Sequence, residues 1–296
     1  MSAGGAGRLD VAVVGAGRVG PVLGAVLRAA QHRVVAVTAR TLDAADRVEA
    51  LLPGVPLTTD PAAAAAADLV LLAVPDDELP GVAAGLAAHV RPGQLVAHTC
   101  GRRGTGVLAP LAAAGALTMA LHPAMTFTGT SLDVPRLSGC AVAVTVAPVL
   151  VPVAEALVRE WGAVPVHVAE DDRPLYHAAL AHGANHLVTL VQQALDAARG
   201  AVGDEAATVL RPLLTAALDN ALTAPATALT GPVARGDAGT VAAHLAVLRE
   251  RAGATTAATY AQLAGAALER LSASGRVGAA PAQAVAAALA ERNPAP

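Results

Sequence analysis

A chain of 296 residues, 54% of them hydrophobic, is long enough to bury two sizeable cores. Only 1% of the residues are aromatic, so those cores are built from Ala, Val and Leu, which favours close-packed helices and buried parallel strands over an aromatic-rich β sandwich. A net charge of -3 with mixed signs excludes a nucleic-acid footprint, and two distant cysteines, Cys100 and Cys140, exclude a disulfide framework or cysteine metal centre and fit a reducing cytoplasm.

In chain order, Met1–Gly7 reads as a disordered leader and not as a signal peptide. Short β-branched runs then alternate with helix-length stretches: Leu9–Val14, Arg33–Thr38, Leu69–Val74, Gln94–His98, Leu117–Leu121, Cys140–Val146 and Val164–Val168. Nearly every run is apolar throughout, as expected for parallel strands covered on both faces, and Pro165 marks the last as an edge. From Asp171 the pattern turns helical. One long helix is predicted over Arg173–Ala198, started by Asp171 or Asp172, followed by Glu205–Thr223, Asp237–Ala252, Thr255–Ser272 and Ala280–Arg292. The expectation is an α/β Rossmann-type, mostly parallel sheet over residues 1–168 and an all-α C-terminal domain over 169–296. No stretch offers about 18 uninterrupted apolar residues, so no membrane span is expected.

Gly15-Ala16-Gly17-Arg18-Val19-Gly20 follows the first strand and opens a helix, the setting in which Gly-x-Gly-x-x-Gly binds a dinucleotide. Gly15 permits the turn, Gly17 lets amides approach the pyrophosphate, and Gly20 lets helix and strand pack. The second strand ends in Thr38 and Arg40 without the acidic residue that binds the ribose of NAD. A hydroxyl and a guanidinium suit the 2′-phosphate of NADP. Ala73-Val74-Pro75 leaves the third strand where a nicotinamide ribose would lie, with Asp76 either part of that segment or a helix cap.

All 20 basic residues are arginine, which excludes Schiff-base chemistry and a lysine acid. Histidine is the natural replacement. His122 ends a strand at the sheet's carboxyl edge, facing a nicotinamide or capping its loop, and His98 ends the preceding strand, with Thr99-Cys100-Gly101 touching cofactor or opening a helix. On the long helix His182, Asn185 and Thr189 form one polar stripe; His177 lies two turns before Asn185, and His186 points further round as a structural residue. Gly231-Pro232 interrupts the helices, Asp237 caps the next one with Thr240 at its third position, Arg235 is a candidate for a substrate carboxylate, and Asn220 is a weaker one.

These motifs, with His98-Thr99-Cys100-Gly101, Leu121-His122-Pro123-Ala124-Met125-Thr126-Phe127, Tyr176-His177-Ala178-Ala179 and Leu229-Thr230-Gly231-Pro232-Val233-Ala234-Arg235-Gly236-Asp237, resemble the bacterial proteins that join a Rossmann-like domain to a DUF2520 domain, within the 6-phosphogluconate dehydrogenase-like oxidoreductases. The resemblance spans nearly the whole chain. It implies an NADPH-dependent reduction of a small carboxylate-bearing keto compound, with 2-dehydropantoate of pantothenate biosynthesis as the named possibility, and it favours His177 and Asn185 as catalytic residues. Relatives such as pyrroline-5-carboxylate reductase imply imine reduction as an alternative, and a homodimer formed through the helical domain. Classical ketopantoate reductases place a lysine four residues before the asparagine; here that residue is Ala181, so the proton donor passes to a histidine. Without the lysine, a non-catalytic NADP-binding sensor stands as the reading from another class.

Overall fold

The structure, a computed structural model, describes residues 7–291; the expected leader, Gly7 apart, lies outside the described residues. The chain divides into two compact units, the first ending at Ala181 and the second starting at His182.

In the first unit eight strands form one sheet: β1 (Asp10–Val14), β2 (Arg33–Thr38), β3 (Leu57–Thr58), β4 (Leu69–Leu72), β5 (Leu95–His98), β6 (Leu117–Pro123), β7 (Ala141–Val146) and β8 (Val164–His167). Their order is β3-β2-β1-β4-β5-β6-β7-β8, and every neighbouring pair is parallel except β6 and β7. The crossing between β2 and β1 on one side and β4 on the other is the topological switch point at which such sheets bind ligands. Helices α1 (Gly20–Ala29), α2 (Leu42–Leu51), α3 (Leu79–Leu86), α4 (Ala109–Ala113), α5 (Asp133–Arg136), α6 (Val151–Glu160) and α7 (Arg173–Leu180) complete the unit.

Successive β1 residues face opposite layers, which is why its sequence is apolar throughout. Val11 and Val13 pack with Leu23 and Leu27 of α1 and with Leu157 of α6, whereas Ala12 and Val14 pack with Leu79 and Ala83 of α3. Each fully buried leucine contributes about 1.5–3 kcal/mol. The two-residue β3 is too short to leave a sequence pattern, and the run expected to reach Val74 stops pairing at Leu72, just before Pro75. Pro165 does lie on the edge strand.

The link from β6 to β7 stays at one end of the sheet, so β7 returns antiparallel and residues 124–140 lie beside the carboxyl ends of the central strands. A single carboxylate shapes this link. Buried Asp133 accepts hydrogen bonds from the amides of Thr128 and Gly129, both at 2.7 Å, and from the Thr128 hydroxyl at 3.0 Å.

The second unit contains α8 (His186–Val202), α9 (Ala206–Thr223), α10 (Pro225–Ala228), α11 (Gly231–Arg235), α12 (Ala238–Arg251), α13 (Ala254–Ala273) and α14 (Ala279–Ala290). Its core lies among α11–α14, around Val241, Leu245, Leu271 and Val285. The single helix expected over Arg173–Ala198 is divided by a π-helical turn, Ala181–Asn185, in which Gly183 weakens the α ladder. Gly231-Pro232 opens a short helix, with Gly231 at φ 83° and Pro232 in the first turn where its missing N–H costs nothing. Asp237 caps α12 through the Thr240 amide at 3.0 Å.

Asp133→Asn should lower the unfolding free energy by about 2 kcal/mol at pH 7, because a charged acceptor of two amides is lost. Burial alone raises the Asp133 carboxyl, but the Gly129 and Thr128 donors outweigh it and hold the folded pKa below 3.8. The advantage of the native residue is therefore complete above that pH and vanishes as pH falls through the lower folded value. Urea unfolding of both forms at pH 7 and at pH 3 checks this.

Candidate functional site

The glycine loop is built by close approach. A Cβ on Gly15, which sits at φ 107°, would lie 2.5 Å from the Ala73 carbonyl oxygen, and one on Gly20 would overlap the Gly15 carbonyl. A Cβ on Gly17 would meet nothing within 4 Å, so the loop is closed towards β4 and open outwards. α1 begins at Gly20 with no side chain capping its first amides, leaving these donors to a ligand. Gly15, Ala16 and Gly17 line a groove of about 260 Å³ together with Thr38, Arg40, Ala73, Val74 and Pro75. A loop into which a Cβ on Gly15 or Gly20 could not fit, open outwards at Gly17 with Arg40 and Arg47 beside it, fits the pyrophosphate of a dinucleotide. Arg18, Val19 and Gly20, the rest of the motif, are not among the residues that line this groove.

Thr38 has a different environment from the one expected. Its hydroxyl is buried and accepts the Gly15 amide at 2.8 Å, so it braces the turn. Arg40 is exposed and meets the Glu78 carboxylate at 3.3 Å across the groove. Sequence reasoning missed Thr41, Arg47 and Glu78, which line the same groove. Arg47 Nη1 donates to the Ala16 carbonyl at 2.8 Å; an arginine on the helix after β2 was the available signal. Asp76 does not cap α3, whose N-cap is Glu78 without a capping bond; it pairs with Arg102 at 3.1 Å.

A second cluster gathers at the carboxyl ends of β5 and β6. His122 Nδ1 lies 2.9 Å from the Tyr176 hydroxyl, and the His122 and His177 rings meet edge to face at 6.1 Å. Buried Gly101 separates the two histidines: a Cβ there would fall 2.6 Å from His177 Cδ2 and 2.9 Å from His122 Nε2. In the sequence Gly101 stood out only as part of Thr99-Cys100-Gly101, and Tyr176 only within the segment Tyr176-His177-Ala178-Ala179, neither with a role of its own. Burial, with the Arg173 cation and His177 beside it, pushes the His122 pKa down to about 4, so the ring is neutral near pH 7 and has one N–H to give. His98 is also held near 4 by burial; its Nε2 lies 2.8 Å from the Gly104 carbonyl and its Nδ1 accepts the Cys100 amide at 3.1 Å. That pattern makes His98 a brace of the loop after β5, which is no helix. Burial and nearby Asp76 push the Cys100 thiol up to about 11, far from a thiolate.

Arg173 is the unusual member. Its side chain is fully buried, yet among the described residues it pairs with no carboxylate. Nε donates to the Thr145 hydroxyl at 2.7 Å, and Nη2 to the carbonyls of Ala120 and Ala143 at 2.8 and 3.1 Å. Nη1 has no hydrogen-bond partner among the described residues, and the guanidinium carbon lies 6.0 Å from the Tyr176 ring centroid.

The other candidates belong to the second unit. His182 and Asn185 lie exposed in the π turn. His182 pairs with His186, Nδ1 to Nδ1 at 3.0 Å, so His186, expected to point further round, stands beside it as residues four apart on a helix do. Thr189 donates to the Asn185 carbonyl at 3.4 Å. Arg235 is exposed at the end of α11, and Asn220 is exposed on α9.

Residues 3–123 match the family profile described as a Rossmann-like domain, and residues 140–267 match a domain of unknown function, DUF2520. No curated protein matches the sequence. Among solved structures, the candidate NADP oxidoreductase BF3122 of Bacteroides fragilis has a similar fold, with TM-score 0.74 and 19% identity over 88% of this chain and 98% of that one. Protein TM1727 of Thermotoga maritima gives 0.63 and 18% over 90% and 99%. An imine reductase of Myxococcus stipitatus, solved with NADP+, gives 0.64 and 19% over 93% and 98%. At these identities the likeness is one of fold.

Folded His98 and His122 titrate near 4 against 6.5 for the unfolded side chains, so between those values only the unfolded state binds their protons. Stability should fall as pH drops from 6.5 towards 4, with a slope of about one proton per histidine. Chemical denaturation across this range checks it, and His122→Asn should remove roughly half of the slope.

Proposed function

We propose that this chain, which joins a Rossmann-like domain to a DUF2520 domain, is an NADPH-dependent oxidoreductase that reduces a small carboxylate-bearing keto compound, 2-dehydropantoate being the first substrate to test. The reading is carried by the Tyr176–His122 hydrogen bond at the carboxyl end of β6, in the same α/β unit as the glycine-loop groove. Gly15, Ala16 and Gly17, with the free amides of α1, would hold the pyrophosphate, Arg40 a 2′-phosphate, and Ala73-Val74-Pro75 the nicotinamide side. Bound there, NADPH supplies a hydride.

What remains is one proton at the oxygen that gains negative charge. A neutral His122 sharing a hydrogen bond with the Tyr176 phenol can supply it in either tautomer. With the phenol donating to Nδ1, the imidazole proton sits on Nε2, facing Gly101; with Nδ1 donating, the phenol proton is free to be given away. His177 borders the same space and completes the donor set. Arg235 is assigned to the substrate carboxylate for its two-pronged geometry, and Asn185 and His182 to further substrate contacts. Reduction of a cyclic imine is the second reading, favoured by a neutral His122 and the lack of lysine, because an imine arrives protonated and needs no strong acid.

The enzyme is further proposed to be a homodimer joined through its helical domain. Among the described residues, α8 and α9 expose Val188, Val209, Leu213 and Leu222 at 57%, 54%, 64% and 76%, a surface suited to burial against a second copy. Free Cys100 and Cys140 suit the cytoplasm, and no helix among the described residues is long and apolar enough to cross a membrane.

Loss of NADPH absorbance with 2-dehydropantoate, pyrroline-5-carboxylate and a panel of 2-keto acids tests the activity. Turnover is expected with a carboxylate-bearing substrate, and Tyr176→Phe should lower kcat about 100-fold while cofactor binding is kept. Tight NADPH binding with no turnover would favour a cofactor-binding sensor. Sedimentation should give a dimer, and Leu213→Asp with Leu222→Asp a monomer; a monomeric native chain would remove the dimer from the proposal.

A further inference from the structure

Arg40 and Glu78 form the two lips of the groove. Arg40 follows β2 and Glu78 immediately precedes α3, and their ion pair at 3.3 Å spans the gap between them. Both residues line the glycine-loop groove and also an adjoining hollow of about 470 Å³ that includes Asp60, Asp77 and His89. The other charged groups there are engaged elsewhere: Arg47 on the Ala16 carbonyl, Asp77 on Arg102 at 2.8 Å, and Asp60 on the Ala62 amide at 2.9 Å. The end of β2 is where the adenosine ribose lies in sheets of this topology. The guanidinium expected to receive a 2′-phosphate is therefore already in contact with a carboxylate.

We infer that Glu78 sets the choice between NADP(H) and NAD(H) by competing with the 2′-phosphate for Arg40, an inference that rests on the dinucleotide groove proposed above. A phosphate monoester carries close to two negative charges near pH 7 and outmatches one carboxylate for a guanidinium. Since both partners of the ion pair are about half exposed, 60% and 49%, the pair is weak and exchange is open to the phosphate. The displaced carboxylate then remains beside the phosphate and opposes it, which lowers NADP(H) affinity without excluding it. NAD(H) meets no such opposition. Its 2′-hydroxyl can donate to Glu78 while Glu78 keeps Arg40, so Glu78 narrows the preference for NADP(H) that Arg40 creates. The acidic residue missing from the end of β2 is thus supplied from the start of α3, 38 residues further along the chain.

The test is fluorescence titration of NADPH and of NADH into the native protein, Glu78→Gln, Arg40→Ala and the double variant. Glu78→Gln keeps the size of the side chain and an acceptor for Arg40 but removes the charge. It should tighten NADPH by about 3- to 10-fold and change NADH by less than about twofold, with the gain shrinking at high salt because the groups are exposed. In the Arg40→Ala background the same change should have little effect on NADPH, because the competition runs through Arg40. Equal effects on the two dinucleotides, or weaker NADPH binding by Glu78→Gln, would overturn the inference and leave the groove assignment standing. If neither dinucleotide binds the native protein, the groove assignment fails first and the inference falls with it.

Discussion

A guanidinium buried without a carboxylate is the constraint on which the candidate site depends. Taking a charge out of water is expensive unless polar groups surround it, and Arg173 finds them in the Thr145 hydroxyl and the carbonyls of Ala120 and Ala143. Those partners come from β6 and β7, the one antiparallel pair in the sheet. The same residue is the first of α7, so the site that anchors the charge also fixes where the helix starts. One turn later, Tyr176 and His177 arrive beside His122. Three elements distant in sequence are located together by a single side chain.

The buried cation also sets the electrical character of the cluster. Burial leaves His98, His122 and the Cys100 thiol in their neutral forms, and the Arg173 charge works in the same direction on both histidines. Around His122 this leaves a neutral ring in a positive field. Such surroundings favour developing negative charge on a bound oxygen.

Much of the first unit was legible because parallel strands buried on both faces leave unbroken apolar runs, and because a glycine loop has a fixed spacing. The two-residue β3 left no run to detect. The long helix was misread for the opposite reason: residues Arg173–Ala198 do carry helical periodicity, but a π turn changes the register without changing the composition. His182 and His186, four residues apart, stay neighbours across the turn, as they would on a regular helix. Tyr176 and Arg173 escaped notice as site residues because their roles come from β6 and β7, more than twenty residues away, and no local pattern records such a partner. Thr38 was singled out for its hydroxyl, and the hydroxyl does matter, but to the Gly15 amide.

Gly101 shows how much of the cluster is defined by an absent atom. The two histidine rings leave just enough room between them for a residue without a side chain. One added methyl group there would act as a wedge, driving His122 and His177 apart. It would do so at β5, two strands from the glycine loop and out of reach of its groove. If the proposed function holds, Gly101→Ala would separate cofactor capture from proton delivery and suit the trapping of a dinucleotide and an unreacted substrate together for crystallography.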